Sequence, residues 1–175
     1  MEHHPGGQAQ PAVAGASADA PSFIFQAAKD PTSGNLDRIQ VIKVWLEGGD
    51  YKEKIFNVAW SAGRSLDAAG KLPPIQNTVD LKTATYTNSV GAPFLQAVWR
   101  DPEFDPSKPA VYYARAIEIP TPRWNTILAV KRNLPLPAHL PATIQERAVS
   151  SPIWYTPPPA QKTAQRRTPH RRAVA

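Results

Sequence analysis

"LDRIQVIKVWLEGGDYKEKIFNVAWS", residues 36–61, reads as two strands around a glycine reversal. Ile39, Val41 and Trp45 fall on one side of the first run, and Ile42, Val44 and Leu46 fall on the other, because successive side chains of a strand point to opposite faces. Two apolar faces mark a central strand rather than one with a solvated side. Gly48, Gly49 and Asp50 supply a tight reversal, and Phe56, Val58 and Trp60 alternate in the return run. Two strand-like runs joined by a short glycine turn specify a β-hairpin.

Working outward, "SFIFQAAK" at residues 22–29 places Phe23, Phe25 and Ala27 on one face, and "DPTSGN" after it has the residues of a turn. Residues 62–77 are polar and broken by Gly63, Gly70, Pro73 and Pro74, which predicts a long surface loop. The threonines of "TVDLKTATYTN", residues 78–88, favour a strand. "APFLQAVW" sets Leu95, Ala97 and Trp99 together, and "DPEFDPSKP" is a proline-punctuated loop. In "AVYYARAIEIP", Val111, Tyr113, Ile117 and Ile119 share a side with Arg115. "RWNTILAVKR" suits one short helix, and "NLPLPAHLP" an extended, polyproline-like segment. "ERAVSSPIWY" is a last strand, and Pro152 inside it demands either a sheet edge or a bulge. Seven short strands with little helix predict a mainly all-β fold, an antiparallel β-sandwich-like module or open barrel with long loops.

A chain of 175 residues holds one domain more readily than two. Its 20 prolines favour loops and extended segments over long helices. The absence of cysteine excludes disulfides, thiolate zinc sites and cysteine nucleophiles. The net charge of +6 is uneven. All acidic residues precede residue 158, while Lys162, Arg166, Arg167, Arg171 and Arg172 follow it. The body is therefore near neutral and offers no basic face to a phosphate backbone, so no specific nucleic-acid partner is expected. Residues 158–175 read as a disordered basic tail that attracts polyanions only weakly and without sequence preference. Residues 1–20, rich in Ala, Pro and Gly, read as a flexible lead-in rather than a signal peptide. No apolar run reaches the length of a membrane span, and the compartment is not written in the sequence.

Few residues invite chemistry. His3 and His4 lie near one end, and His139 and His170 are isolated, so solvated histidines are expected rather than metal ligands. Asp101, Glu103 and Asp105 alternate as calcium-binding oxygens do, but without a glycine hinge or further ligands, and turn-capping is the expected role. There is no "GxSxG" elbow and no glycine-rich phosphate loop. Catalytic, cofactor-binding and metal-ligating residues are accordingly expected to be absent. Trp45, Trp60 and Trp99 fall on strands and are expected in the core. Arg123, Trp124 and Trp154 flank proline-rich loops and are the candidate ligand surface.

The strings "GNLDRIQVIKVW", "EKIFNVAWS", "GKLPPIQNTVD", "ATYTNSVGAPFL", "VWRDPEFDPSKPAVYYARAIEIPTPRW" and "QERAVSSPIWYTP" together resemble the C-terminal region of a large bacterial family of uncharacterised proteins, the DUF3604 family. The resemblance runs from Pro21 to Pro157 and marks residues 21–157 as the module. Val44 stands where the family pattern has a glycine, and Phe94 where an acid is common. The resemblance implies a protein of the polymerase-and-histidinol-phosphatase (PHP) superfamily, metal-dependent and phosphoesterase-like. In such a protein a distorted α/β barrel holds divalent metal through histidines and carboxylates, and a β-rich module follows it. This sequence resembles the module alone. It is expected to be a C-terminal fragment, hydrolase-like by parentage and not catalytic by itself. The divalent metal would belong to the full-length family, with no cofactor in this chain. A separately encoded barrel or a second copy would be the partner. The other reading is a stand-alone sandwich that binds a glycan or a protein.

Overall fold

The computed structural model describes residues 20–136 and 138–158. Except for Ala20 and Pro158, the expected lead-in and basic tail lie outside the described residues, as do His3, His4 and His170. The hairpin forms as read. Strand β2 (Leu36–Glu47) pairs antiparallel with β3 (Asp50–Trp60), and Glu47↔Asp50 closes the ladder. Gly48 and Gly49 between them both take positive φ, 62° and 88°. Two left-handed residues match the twist of the flanking strands, and glycine adopts that conformation without a Cβ clash.

β2 is central, as its two apolar faces required. Its other edge pairs with β5 (Ala110–Glu118). The far edge of β5 is shared by two short strands, β8 (Arg147–Val149) and β9 (Ile153–Tyr155). The expected single last strand is thus split around Pro152, which lacks the N–H a ladder needs. A second sheet consists of β1 (Ser22–Ala28) and β4 (Phe94–Arg100), antiparallel in unbroken register from Ser22↔Arg100 to Ala28↔Phe94. A minor pair, β6 (Thr121–Pro122) and β7 (Thr143–Ile144), brackets helix α1 (Trp124–Arg132). The fold is mainly all-β and antiparallel, and the short helix stands where the sequence puts it.

The core lies between the five-stranded and two-stranded sheets. Val41, Val58, Ala110 and Tyr112 of one meet Leu95, Ala97 and Trp99 of the other, with Phe23, Phe25 and Phe56 packed against them. The rings of Phe23 and Tyr112 are 5.0 Å apart, and those of Phe56 and Trp99 are 5.1 Å apart. Two expectations change here, and the face of β5 that the sequence left open is decided. The threonine-rich run is not a strand: Asp80 and Thr85 form only an isolated bridge, and the Asp80 carboxylate accepts from Lys82 N–H and Thr83 Oγ1, closing a turn. Register slips between Ile39 and Gln40, leaving Val58 as an extra residue of β3. Ala59 then joins Val58 in the core, while Trp60 is half-buried beside it, its indole N–H donating to the Arg64 carbonyl at 2.6 Å. Finally, the bulky row of β5 is not the one facing the second sheet. Ala110 and Tyr112 face it, and Val111 and Tyr113 lie on the outer face.

Buried charge ties the two sheets together. Asp101, directly after β4, is fully buried. Its carboxylate accepts from Lys43 Nζ of β2 at 2.5 Å and from the Tyr112 hydroxyl of β5 at 2.7 Å, and its other oxygen accepts from Glu103 N–H at 2.9 Å. At the other end of β2, buried Asp37 accepts from Arg38, Arg64 and Gln145. Arg64 also donates to the carbonyls of Ser61 and Pro73 and so pins the long loop.

Two outcomes are expected. Gly91 has φ +81°, and a Cβ there would lie 2.6 Å from the Asn35 Cβ. Gly91→Ala therefore costs about 2–4 kcal/mol, measurable by urea unfolding. Burial, and then the Asp101 carboxylate, push the Tyr112 phenol above its ordinary 10.0. The folded state holds that proton more tightly than the unfolded chain, so the contribution is complete below about pH 10 and is lost as pH rises past it. Tyr112→Phe should lower stability by about 1 kcal/mol at neutral pH and flatten the alkaline decline in unfolding curves.

Candidate functional site

The expected ligand surface does not come together. Trp154 and Trp124 are both exposed, at 73% and 70%. Trp154 pairs with Val111 near the start of β5. Trp124 follows β6, whose partner β7 runs into Gln145, and Gln145 donates to the Glu118 carbonyl at the end of β5. The strand between Val111 and Glu118 is about 23 Å long, so the two indoles sit at opposite ends of it. Arg123 is the extended residue ahead of α1, half-buried, with its Nε lacking a partner among the described residues.

The acidic loop is committed to holding the fold. Asp101 is spent on Lys43, Tyr112 and the Glu103 N–H. Glu103 pairs with Lys54, and Asp105 accepts from the Ser107 hydroxyl at 2.6 Å. Lys108 lies 3.1 Å from Glu47 and 3.5 Å from Asp105. Hydrogen bonds from Lys108 to Glu47 and from Ser107 to Asp105 hold both carboxyls below the usual range. A divalent ion needs several free oxygen or nitrogen donors converging on one point. These carboxylates instead point at ammonium, hydroxyl and amide groups, so they do not fit a metal, and no step through one is derived. Among the described residues no three His, Cys, Asp or Glu side chains converge. His139 is exposed. No helix among the described residues is long and apolar enough to cross a membrane.

A different feature stands out, on the side of the sandwich where β1 and β8 are the free edges. The inward positions of β5 are Ala110, Tyr112, Ala114 and Ala116. The first two are buried under the second sheet, but Ala114 and Ala116 are only partly buried although β5 is paired on both sides. Above them the second sheet ends at β1. The result is a groove of about 670 Å³ lined by Phe25, Ala27, Ile39, Ala114, Ala116 and Ala148. Asp30, Glu118 and Glu146 stand around it with Arg147. Glu118 accepts from the Ser33 hydroxyl at 2.5 Å. Sequence reading missed this groove. Ala114 and Ala116 give no local signal of it, since Ala110 on the same face of β5 is equally small and is buried.

Comparison with known proteins places the chain without assigning it a reaction. The family model described as "Protein of unknown function (DUF3604)" matches residues 4–157. No curated protein and no solved structure matches the chain. The match spans every described strand and the helix, and the chain belongs to the DUF3604 family.

Proposed function

We propose that this chain is a non-catalytic β module that binds another polypeptide, and that the polypeptide it serves is a metal-dependent hydrolase of the PHP type. The observation that carries the reading is the groove lined by Ala114 and Ala116, which stay only partly buried on the inward face of a doubly paired strand. Inward faces of packed sheets are normally covered, and an uncovered apolar groove rimmed by charge is a common form of interaction site. The hydrolase side of the reading comes from the resemblance of the strand motifs. The non-catalytic side has chemical support, because the described carboxylates around residue 101 are occupied in holding the module together.

Purified chain supplied with magnesium, manganese or zinc should not hydrolyse a generic aryl phosphoester. Turnover that chelator abolishes would overturn the non-catalytic reading. Mixed with the separately produced region that precedes this module in a longer family member, the chain should co-elute in size exclusion and melt several degrees higher. Independent elution with an unchanged melting curve would overturn the partner reading, and elution as a larger species without the added region would replace it with self-association.

A second reading has its own observation. Trp154 is 73% exposed on the outer face of the five-stranded sheet, opposite Val111 and across from the groove. Exposed indole on a flat sheet stacks on sugar rings or anchors a protein partner. If the module binds a glycan this way, ligand should quench tryptophan emission in the native chain and not in Trp154→Ala. Quenching that survives this substitution would remove Trp154 from the surface.

A further inference from the structure

We propose that the groove between β1 and β8 accepts one extended strand of another polypeptide, bulky and apolar at alternate positions and carrying lysine or arginine, which pairs along the free edge of β1. The proposal rests on the partner-binding reading above and names how the partner is held.

Geometry sets the shape of the guest. Among the described residues β1 is hydrogen-bonded to β4 on one side only. Alternate residues of an antiparallel edge strand aim their N–H and C=O groups outward, ready for a further strand. Natural edges are guarded by charge, proline or bulges. β1, "SFIFQAA", has no charge, no proline and no break in register. The covered part of the five-stranded sheet ends where β1 ends, and the next strand position lies over Ala114, Ala116 and Ala148. Ala116 and Ala148 are register partners, so both face that position. A guest strand pairing with β1 would direct every second side chain onto these alanines. Because the lining is small, the guest side chains must be large to fill the space.

Charge sets the guest's ends. Among the described residues that line the groove, Asp30, Glu118 and Glu146 stand against one cation, Arg147. Glu146 and Asp30 are exposed, so a guest lysine or arginine meets a negative rim without being desolvated.

The other occupants fit less well. A second copy could offer an edge strand of its own, but Phe23 and Phe25 of β1 are already packed against its core, β3 carries Lys52, Glu53 and Lys54 in a row, and β8 and β9 are only 3 residues each. Residues 1–19 and 159–175 of this chain have the wrong composition: neither carries a run of bulky apolar residues. The strand is therefore sought outside residues 1–175, in a partner polypeptide, in the manner of strand addition at a sheet edge.

The test uses the full chain, isotope-labelled, and the capped peptide KITFTIK, bulky at alternate positions and ended by lysine, at saturating concentration, read by amide hydrogen exchange. The outward amides of β1 should exchange at least tenfold more slowly with peptide, and a peptide with proline at its centre should give no protection. Ala116→Trp fills the groove from its solvent-open side and should abolish the protection with the thermal transition unchanged. If that variant misfolds, Ala148→Trp on the exposed β8 makes the same test. Glu146→Lys should weaken the peptide severalfold. Absence of protection, protection that persists in the filled variant, or protection confined to another edge would each overturn the proposal. So would β1 amides already protected in the free chain and released by deleting residues 1–19, which would make the chain its own occupant. Co-elution with the preceding family region that survives Ala116→Trp would sink strand addition while leaving the partner reading standing.

Discussion

The sandwich depends on one buried carboxylate. Asp101 leaves the end of β4 and reaches into the five-stranded sheet, where Lys43 and Tyr112 hold it. A two-stranded sheet such as β1 and β4 is marginal alone, and its strands are far apart in sequence, so it exists only as far as it is held to the larger sheet. Aromatic packing of Phe23, Trp99 and Tyr112 supplies attraction, but attraction of that kind tolerates sliding. The Asp101 contacts do not, since a shift of one residue would leave a charge buried without a partner, at several kcal/mol. Burying the pair is itself costly, and the third hydrogen bond from the Glu103 amide helps to offset it.

A second buried carboxylate governs the opposite end. Asp37 gathers Arg38, Arg64 and Gln145, and through them the long loop and the segment leading into β8. Between these two anchors the molecule differs from side to side. Toward β3 the small sheet covers the large one. Toward β8 it stops, and the groove begins. The same two-strand economy thus explains both the need for a polar clamp and the presence of an open inter-sheet face.

Much of the strand content was legible, for local reasons. The two apolar faces of β2 and the glycine pair after it carry their own geometry, as do the alternations in β1 and β4. The threonine-rich run misled because β-propensity reports fit to a half-buried sheet, and residues 78–88 have no sheet beside them. Trp60 misled because a bulge at Val58 resets the alternation, and a bulge has no composition of its own when its extra residue is a valine. The tryptophans proposed as one surface were linked only by shared exposure. Trp154 pairs with Val111 near the start of β5, whereas Trp124 opens α1 beyond the end of that strand.

By itself the sequence determined the hairpin, the short helix and the mainly β class. All of these follow from dihedral preference and period-two alternation, which act within a few residues. Only the tertiary structure decided which face of β5 turns inward, which carboxylates are buried, and where one sheet ends before the other. An alanine at position 114 or 116 looks the same in sequence whether a neighbouring strand covers it or not. Coverage is a property of two sheets, set by strand count and by the Asp101 clamp, and no local pattern records it.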